Sequence, residues 1–275
     1  MSTPAVPILS DLPEVGAISV PKKRPPFGDR IPVLDGIRGI AILLVMLLHL
    51  QMLGTAGTTL PWERFYGDVV GVGWIGVDLF FVLSGFLITG ILYDSRESRY
   101  YFRVFYGRRT VRIFSLYFAA LTIFLLIGPF VLAHIHGITL AGLESTNAAN
   151  LFTWTYLLNW YEGYKGFNVV AHPLQHFWSL AVEEQFYLVW PFLVLKLARR
   201  RLMGVCFGLM ALALTLRIVL YWLHLPYATF TWTVCRADSL AIGAVVALAA
   251  RAPGDWTRLL RWARGLALPD SVQLS

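Results

Sequence analysis

Arg38 and His49 lie inside one apolar run, Val33–Leu53, which reads VLDGIRGIAILLVMLLHLQML. An ionisable group in hydrocarbon costs roughly 2.5–3.5 kcal/mol on insertion scales, so polar residues at such depth point to function. They are eleven residues apart. On a helix that is about 20° past three full turns, so both face one way, roughly 16 Å apart along the axis. Asp35 opens the same run. A guanidinium there can steady developing negative charge, and a neutral imidazole can take a proton. His176 and Glu183, seven residues apart, form a second stripe on one helical face. Glu183 then lies roughly 10 Å below His176, at a depth where it could meet His49. A carboxylate opposite an imidazole keeps it basic and oriented. The alternative is a structural pair that locks two helices.

A third constellation is Arg108, Arg109 and Arg112, at the end of Tyr93–Arg112, which is expected to be a strongly basic cytoplasmic loop. Read as the start of a helix, these arginines combine guanidinium forks with free backbone N–H groups, which favours phosphate. The competing reading is a topology signal with anionic-lipid contact. Further polar residues within apolar segments are Asp78, Ser84, Glu184 and Arg217, with His172, Arg236 and Asp238 near the edges. No metal site is expected, because the histidines lack ligand spacing such as HExxH. Gly71, Gly73 and Gly76 match GxGxxG spacing, but no strand precedes them. Close helix packing is the expected role. Cys206 and Cys235 read as small core residues.

These side chains need long apolar helices to hold them. The chain has 275 residues, is 57% hydrophobic and only 14% charged, with mean hydropathy +0.63. That excludes an ordinary soluble domain and predicts an all-α, polytopic membrane bundle. The net charge of +7 is assigned to loops that set orientation rather than to nucleic-acid binding.

Six long spans are expected: Val33–Leu53, Val69–Leu92, Ile113–Ile135, His176–Ala198, Leu202–Leu223 and Val234–Ala250. Asn150–Tyr161 is too short to cross and reads as interfacial or re-entrant. The cluster Lys22, Lys23, Arg24 and Arg30 puts the N-terminus in the cytoplasm. The expected division is a disordered cytoplasmic tail over 1–30, the transmembrane domain over 31–251, and a basic amphipathic tail over 252–275 that includes Trp256–Leu266.

Five stretches together resemble acyltransferase family 3, the membrane O-acyltransferases that acetylate bacterial polysaccharides. They are LDGIRGIAILLVMLLH (Leu34–His49), GVDLFFVLSGFLI (Gly76–Ile88), FYGRRTVRIFSLY (Phe105–Tyr117), HFWSLAVEEQFYLVWP (His176–Pro191) and CRADSLAIGAVVA (Cys235–Ala247). The resemblance implies a bacterial inner-membrane enzyme that moves an acyl group, usually acetyl, from cytoplasmic acyl-CoA to a carbohydrate or glycolipid hydroxyl. By the same resemblance Arg38 and His49 match the family's essential pair. Arg108, Arg109 and Arg112 match its donor-associated RRxxR motif. Glu183 matches the acidic residue of HxWSLxVE, and Arg236 and Asp238 match a motif of less defined role. Ser115 stands where the family usually has proline. The chain also has fewer spans than family members usually carry, so a domain incomplete at its C-terminal end is expected. The rival readings are a transporter or proton pathway and an inactive, truncated acyltransferase.

Overall fold

The computed structural model describes residues 32–54, 71–128, 130–131, 147–170 and 174–251. From Val33 onward these belong to one compact unit, residues 33–275. The expected tails over 1–30 and 252–275, and His172, lie outside the described residues.

All regular structure among the described residues is helical. Helix α1 spans Pro32–Gly54 and α2 spans Ile75–Asp94, preceded by a 3-10 turn at Val72–Trp74. Helix α3, Tyr101–Arg109, continues through a π-helical stretch Thr110–Phe114 into α4, Ser115–Leu121, and a second π stretch, Thr122–Ile127. Two eight-residue helices follow, α5 (Asn147–Trp154) and α6 (Leu158–Lys165). Then come α7 (Phe177–Lys196), α8 (Arg199–Trp222), α9 (Pro226–Thr231) and α10 (Thr233–Ala249).

Four helical stretches among the described residues are long and apolar enough to cross a membrane: Val72–Asp94, Tyr101–Ile127, Arg199–Trp222 and Pro226–Ala249. The bundle is therefore all-α and of the membrane-spanning kind. Helices α1 and α7 coincide with the other two expected spans and have 23 and 20 residues. Glu183, Glu184 and Gln185 lower the hydropathy of α7. At a rise of about 1.5 Å per residue, α5 and α6 each extend only about 12 Å, far short of the roughly 30 Å hydrocarbon core. The reading of Asn150–Tyr161 as a segment that does not cross agrees with this.

One boundary is corrected. The stretch Tyr93–Arg112 was expected to be a loop, but the helix begins at Tyr101, a dozen residues before Ile113. Arginine is a good helix former, and its long stem can carry the charge away from an apolar surface. Tyr101 and Phe105 bury themselves on the inner side of this turn, while Arg103 and Arg108 stay exposed.

Helices α2 and α10 cross closely enough for backbone to meet backbone. A Cβ on Gly85 would sit 2.0 Å from the Leu240 carbonyl oxygen, and one on Gly243 would sit 2.0 Å from that of Val82. Small residues allow such approach where lipid supplies no hydrophobic driving force. Two of the three GxGxxG glycines have the packing role expected of them. A Cβ on Gly73 would lie 2.5 Å from Leu44 O, and one on Gly76 2.6 Å from Ala41 O, so α2 and the turn before it rest on α1. Gly71 has nothing within 4 Å. Cys206 and Cys235 are buried and unbridged.

Two polar arrangements hold the ends of elements. The Arg96 guanidinium donates to the carbonyls of Val194 and Leu197, which the end of α7 leaves without helical partners. Arg251 makes a two-bond fork to Asp94, at 2.6 and 2.7 Å, joining the ends of α10 and α2. The short helices are fixed by a network around Gln185. Its Nε2 donates to Asn159 Oδ1 at 2.9 Å and to the Tyr156 carbonyl at 2.7 Å. Asn159 Nδ2 in turn donates to Thr233 Oγ1 at 2.9 Å. Trp160 Nε1 donates to Gln185 Oε1 at 3.0 Å. Thus α6, α7 and α10 share one satisfied polar knot.

Candidate functional site

The site is assembled where α2, α3 and α7 meet. Ser84, on the buried side of α2, donates its hydroxyl to Glu183 Oε1 on α7. Tyr187, one turn further along α7, donates its hydroxyl to Ser84 Oγ at 3.2 Å. Residues four apart on a helix share a face, so Glu183 and Tyr187 reach the same serine. All three are buried, with Glu183 only 4% exposed. Arg109, at the end of α3, lays its guanidinium over the Tyr187 ring at 4.0 Å and over Phe105 at 4.8 Å. Such stacking is worth about 2 kcal/mol when desolvated. Arg109, and more weakly Arg38 on α1, act electrostatically on the Glu183 carboxylate. Glu184 adds a second carboxyl that also feels Arg109.

This cluster keeps unused polar capacity. Arg38 Nε and Glu184 Oε1 are buried and have no hydrogen-bond partner among the described residues. A buried polar atom left unbonded costs about 1–3 kcal/mol, and such atoms mark positions where a ligand can supply what is missing.

The sequence-derived candidates divide among different places. Ser84, Glu183, Arg109 and, through its charge, Arg38 come together. Arg108 and Arg112 do not join them: both are exposed. The expected helix N-terminus beneath the three arginines is also corrected. Arg108 and Arg109 lie in the last turn of α3, and the helix runs on through Thr110–Phe114. Backbone N–H groups there are engaged in the helix, which leaves guanidinium chemistry alone for an anion.

The backbone of α1 is helical from Pro32 to Gly54, which keeps positions 38 and 49 on one stripe. The side chain of His49 lies outside the described residues, so its expected meeting with Glu183 does too. Asp35 is exposed in the first turn of α1. His176 stands exposed just before α7, its ring 4.9 Å from that of Phe177.

Asp78, Arg217, Arg236 and Asp238 build a separate cluster. Arg236 is buried and pairs with Asp78 at 2.8 Å, and Asp78 also accepts from Ser239 Oγ at 2.9 Å. The Arg236 guanidinium is boxed by Phe230, Phe81 and Trp178, at 4.8, 5.6 and 6.0 Å. Arg217 on α8 pairs with Asp238 on α10 at 2.6 Å and donates to the Cys235 carbonyl. These four bind α2, α8 and α10 together.

Three features lay beyond the sequence reading. Tyr187 could have been found, because it stands four residues after Glu183. Gln185 could not, since its partners come from three elements. Glu162 on α6 is fully buried, with both carboxyl oxygens lacking a partner among the described residues. Burial pushes its carboxyl up to about 9, so it is held neutral at pH 7.

A helical membrane bundle with a buried carboxylate among arginines defines a class of intramembrane polar site. Residues 31–269 match the family model described as an acyltransferase domain, acyltransferase family 3, and the chain belongs to that family. It is similar to a putative peptidoglycan O-acetyltransferase of Bacillus subtilis, with 34% identity over 79% of this chain and 33% of the relative. It is also similar to a peptidoglycan O-acetyltransferase of Listeria monocytogenes, with 29% identity over 70% of this chain and 29% of the relative. A putative O-acetyltransferase of Staphylococcus aureus is 29% identical over 79% of this chain and 34% of the relative. The chain thus spans about a third of the length of these relatives. No solved structure matches it.

Proposed function

We propose that this chain carries the acyl-transfer site of a membrane O-acyltransferase. It would move an acyl group, acetyl first among candidates, from cytoplasmic acyl-CoA to a hydroxyl of a carbohydrate or glycolipid acceptor in or across the bilayer. Membership of the acyltransferase family and the buried Ser84–Glu183 contact flanked by Arg109 and Arg38 support this reading. The named relatives act on peptidoglycan or carry the O-acetyltransferase name, which supports a cell-envelope polysaccharide as acceptor. Basic residues around Arg96–Arg112 and Arg199–Arg201 support a bacterial inner-membrane protein with a cytoplasmic N-terminus.

His49 serves as general base, or as a transient acyl carrier. In the direct route its neutral imidazole takes the acceptor proton as the oxygen attacks the thioester carbonyl. A C–O bond forms, the C–S bond breaks, and the proton passes to the departing CoA thiolate. Arg38 steadies the negative charge on the carbonyl oxygen. Glu183 supports the imidazolium electrostatically. Arg108 and Arg112 hold donor phosphates through their guanidinium groups, and Arg109 links that outer pair to the interior.

The test is His49→Ala in purified protein assayed with acetyl-CoA and a polysaccharide acceptor. Activity is expected to fall about 10²–10⁴-fold, the usual worth of a general base. Full acetyl-CoA-dependent activity in that variant would remove His49 from the reaction. Unchanged acetyl-CoA binding after joint Arg108→Ala and Arg112→Ala replacement would remove the donor role of the outer arginines.

A further inference from the structure

We infer that Tyr187 is a positioning residue that couples the arginine facing the donor side to the orientation of the Glu183 carboxylate. Its two halves do different work. The ring face holds the Arg109 guanidinium at 4.0 Å. The hydroxyl donates to Ser84 Oγ at 3.2 Å, and Ser84 donates to Glu183 Oε1.

A serine hydroxyl carries a single hydrogen that rotates to suit its neighbours. By occupying a lone pair on Ser84 Oγ, the tyrosine hydroxyl turns that hydrogen towards Glu183. The carboxyl is thereby held by Ser84 at Oε1 in a buried place. Arg109 and Glu183 both act directly on the Tyr187 hydroxyl as well. Displacing the guanidinium therefore disturbs the hydroxyl, and through Ser84 the carboxylate. Three helices contribute: α3 brings Arg109, α2 brings Ser84, and α7 brings Glu183 and Tyr187 on one face. The ring is buried, so the chain of contacts is shielded from solvent, where hydrogen bonds and cation–π contacts are stronger.

The catalytic consequence rests on the proposed acyl transfer, whereas the coupling itself does not. The experiment therefore has two arms on the purified full chain. The first is kinetic, with acetyl-CoA as donor. Tyr187→Phe keeps the ring and is expected to leave donor KM within about twofold while lowering kcat about tenfold, the size of one hydrogen bond in a charged network. It should also shift the pH profile of kcat. Tyr187→Leu removes the ring and should raise donor KM about threefold or more. Ser84→Ala should reproduce the Tyr187→Phe loss of kcat, and the double variant should lose little more, because residues acting in series are not additive.

The second arm is infrared spectroscopy of the Glu183 carboxyl, its band being the one lost in Glu183→Gln. That band is expected to move in both Tyr187→Phe and Ser84→Ala. A band unmoved by Tyr187→Phe would overturn the coupling, as would unchanged kcat and pH profile in an active enzyme. If the wild-type chain transfers no acetyl group from acetyl-CoA, the proposed function fails. The infrared arm still decides the role of Tyr187.

Discussion

Helix α2 carries Asp78 and Ser84 six residues apart, and the two sites they serve treat charge in opposite ways. At Asp78 charges are settled by charges. Arg236 pairs with Asp78 at 2.8 Å, and Arg217 pairs with Asp238 at 2.6 Å. At Ser84 the buried carboxylate of Glu183 is held by a neutral hydroxyl. Arg109, which acts on it electrostatically, rests on an aromatic ring. Arg38 Nε and Glu184 Oε1 stay unbonded among the described residues. The first arrangement locks helices through ion pairs, although Arg236 Nε and Nη2 make no hydrogen bond among the described residues. The second leaves donors and acceptors that a substrate can engage. Reading every intramembrane charge as catalytic would merge the two.

The largest expected effect separates them directly. Glu183→Gln should lower acyl transfer about 10²–10⁴-fold with little change in melting temperature, measured by tryptophan fluorescence in detergent. If it kept its activity while Asp78→Asn abolished activity without loss of stability, the roles of the two clusters would be exchanged.

Asp78→Asn strands the buried Arg236 charge. Breaking one side of a fully buried pair costs about 3–5 kcal/mol; the Asp78 side chain is 29% exposed, so the loss should fall below that range and still lower the melting temperature by several degrees. The double replacement Asp78→Leu with Arg236→Met should recover much of that loss, because apolar packing often substitutes well for a buried pair. Failure of the double variant to recover would show that Arg236 does more than lock helices.

The smallest effect belongs to Arg217→Gln. Its side chain is 32% exposed and that of Asp238 is 20% exposed, so solvent screens the pair. The expected change is at most about 1 kcal/mol. A larger loss would place this pair with the buried lock at Asp78.

Much of the scaffold was legible because an apolar run of membrane length leaves few alternatives to a helix. Helices occur in the described parts of all six expected spans, and Gly73 and Gly76 pack against α1 as small residues should. The start of the third long helix was misread because its arginines looked like a loop. Helical periodicity could place Glu183 and Tyr187 on one face, but it could not say which of the neighbouring carboxyls meets Ser84. Nor could it show that Arg109 turns inward while Arg108 and Arg112 stay exposed. Adjacent helical residues point about 100° apart, so a basic triplet divides between interior and surface once the helix has neighbours.

By itself the sequence determined an all-α bundle of the membrane-spanning kind, its family, and the placing of positions 38 and 49 on one helix, α1. Each of these follows from local composition, spacing or motif. Only the tertiary structure decided which polar residues are partners. The Gly85–Gly243 crossing sets the distance between α2 and α10, and with it the pairing of Asp78 with Arg236. The approach of α2 to α7 gives Glu183 to Ser84, 99 residues away in the chain. Short-range attraction decides such contacts, and in a bundle the neighbours within that range are chosen by helix packing rather than by order along the chain.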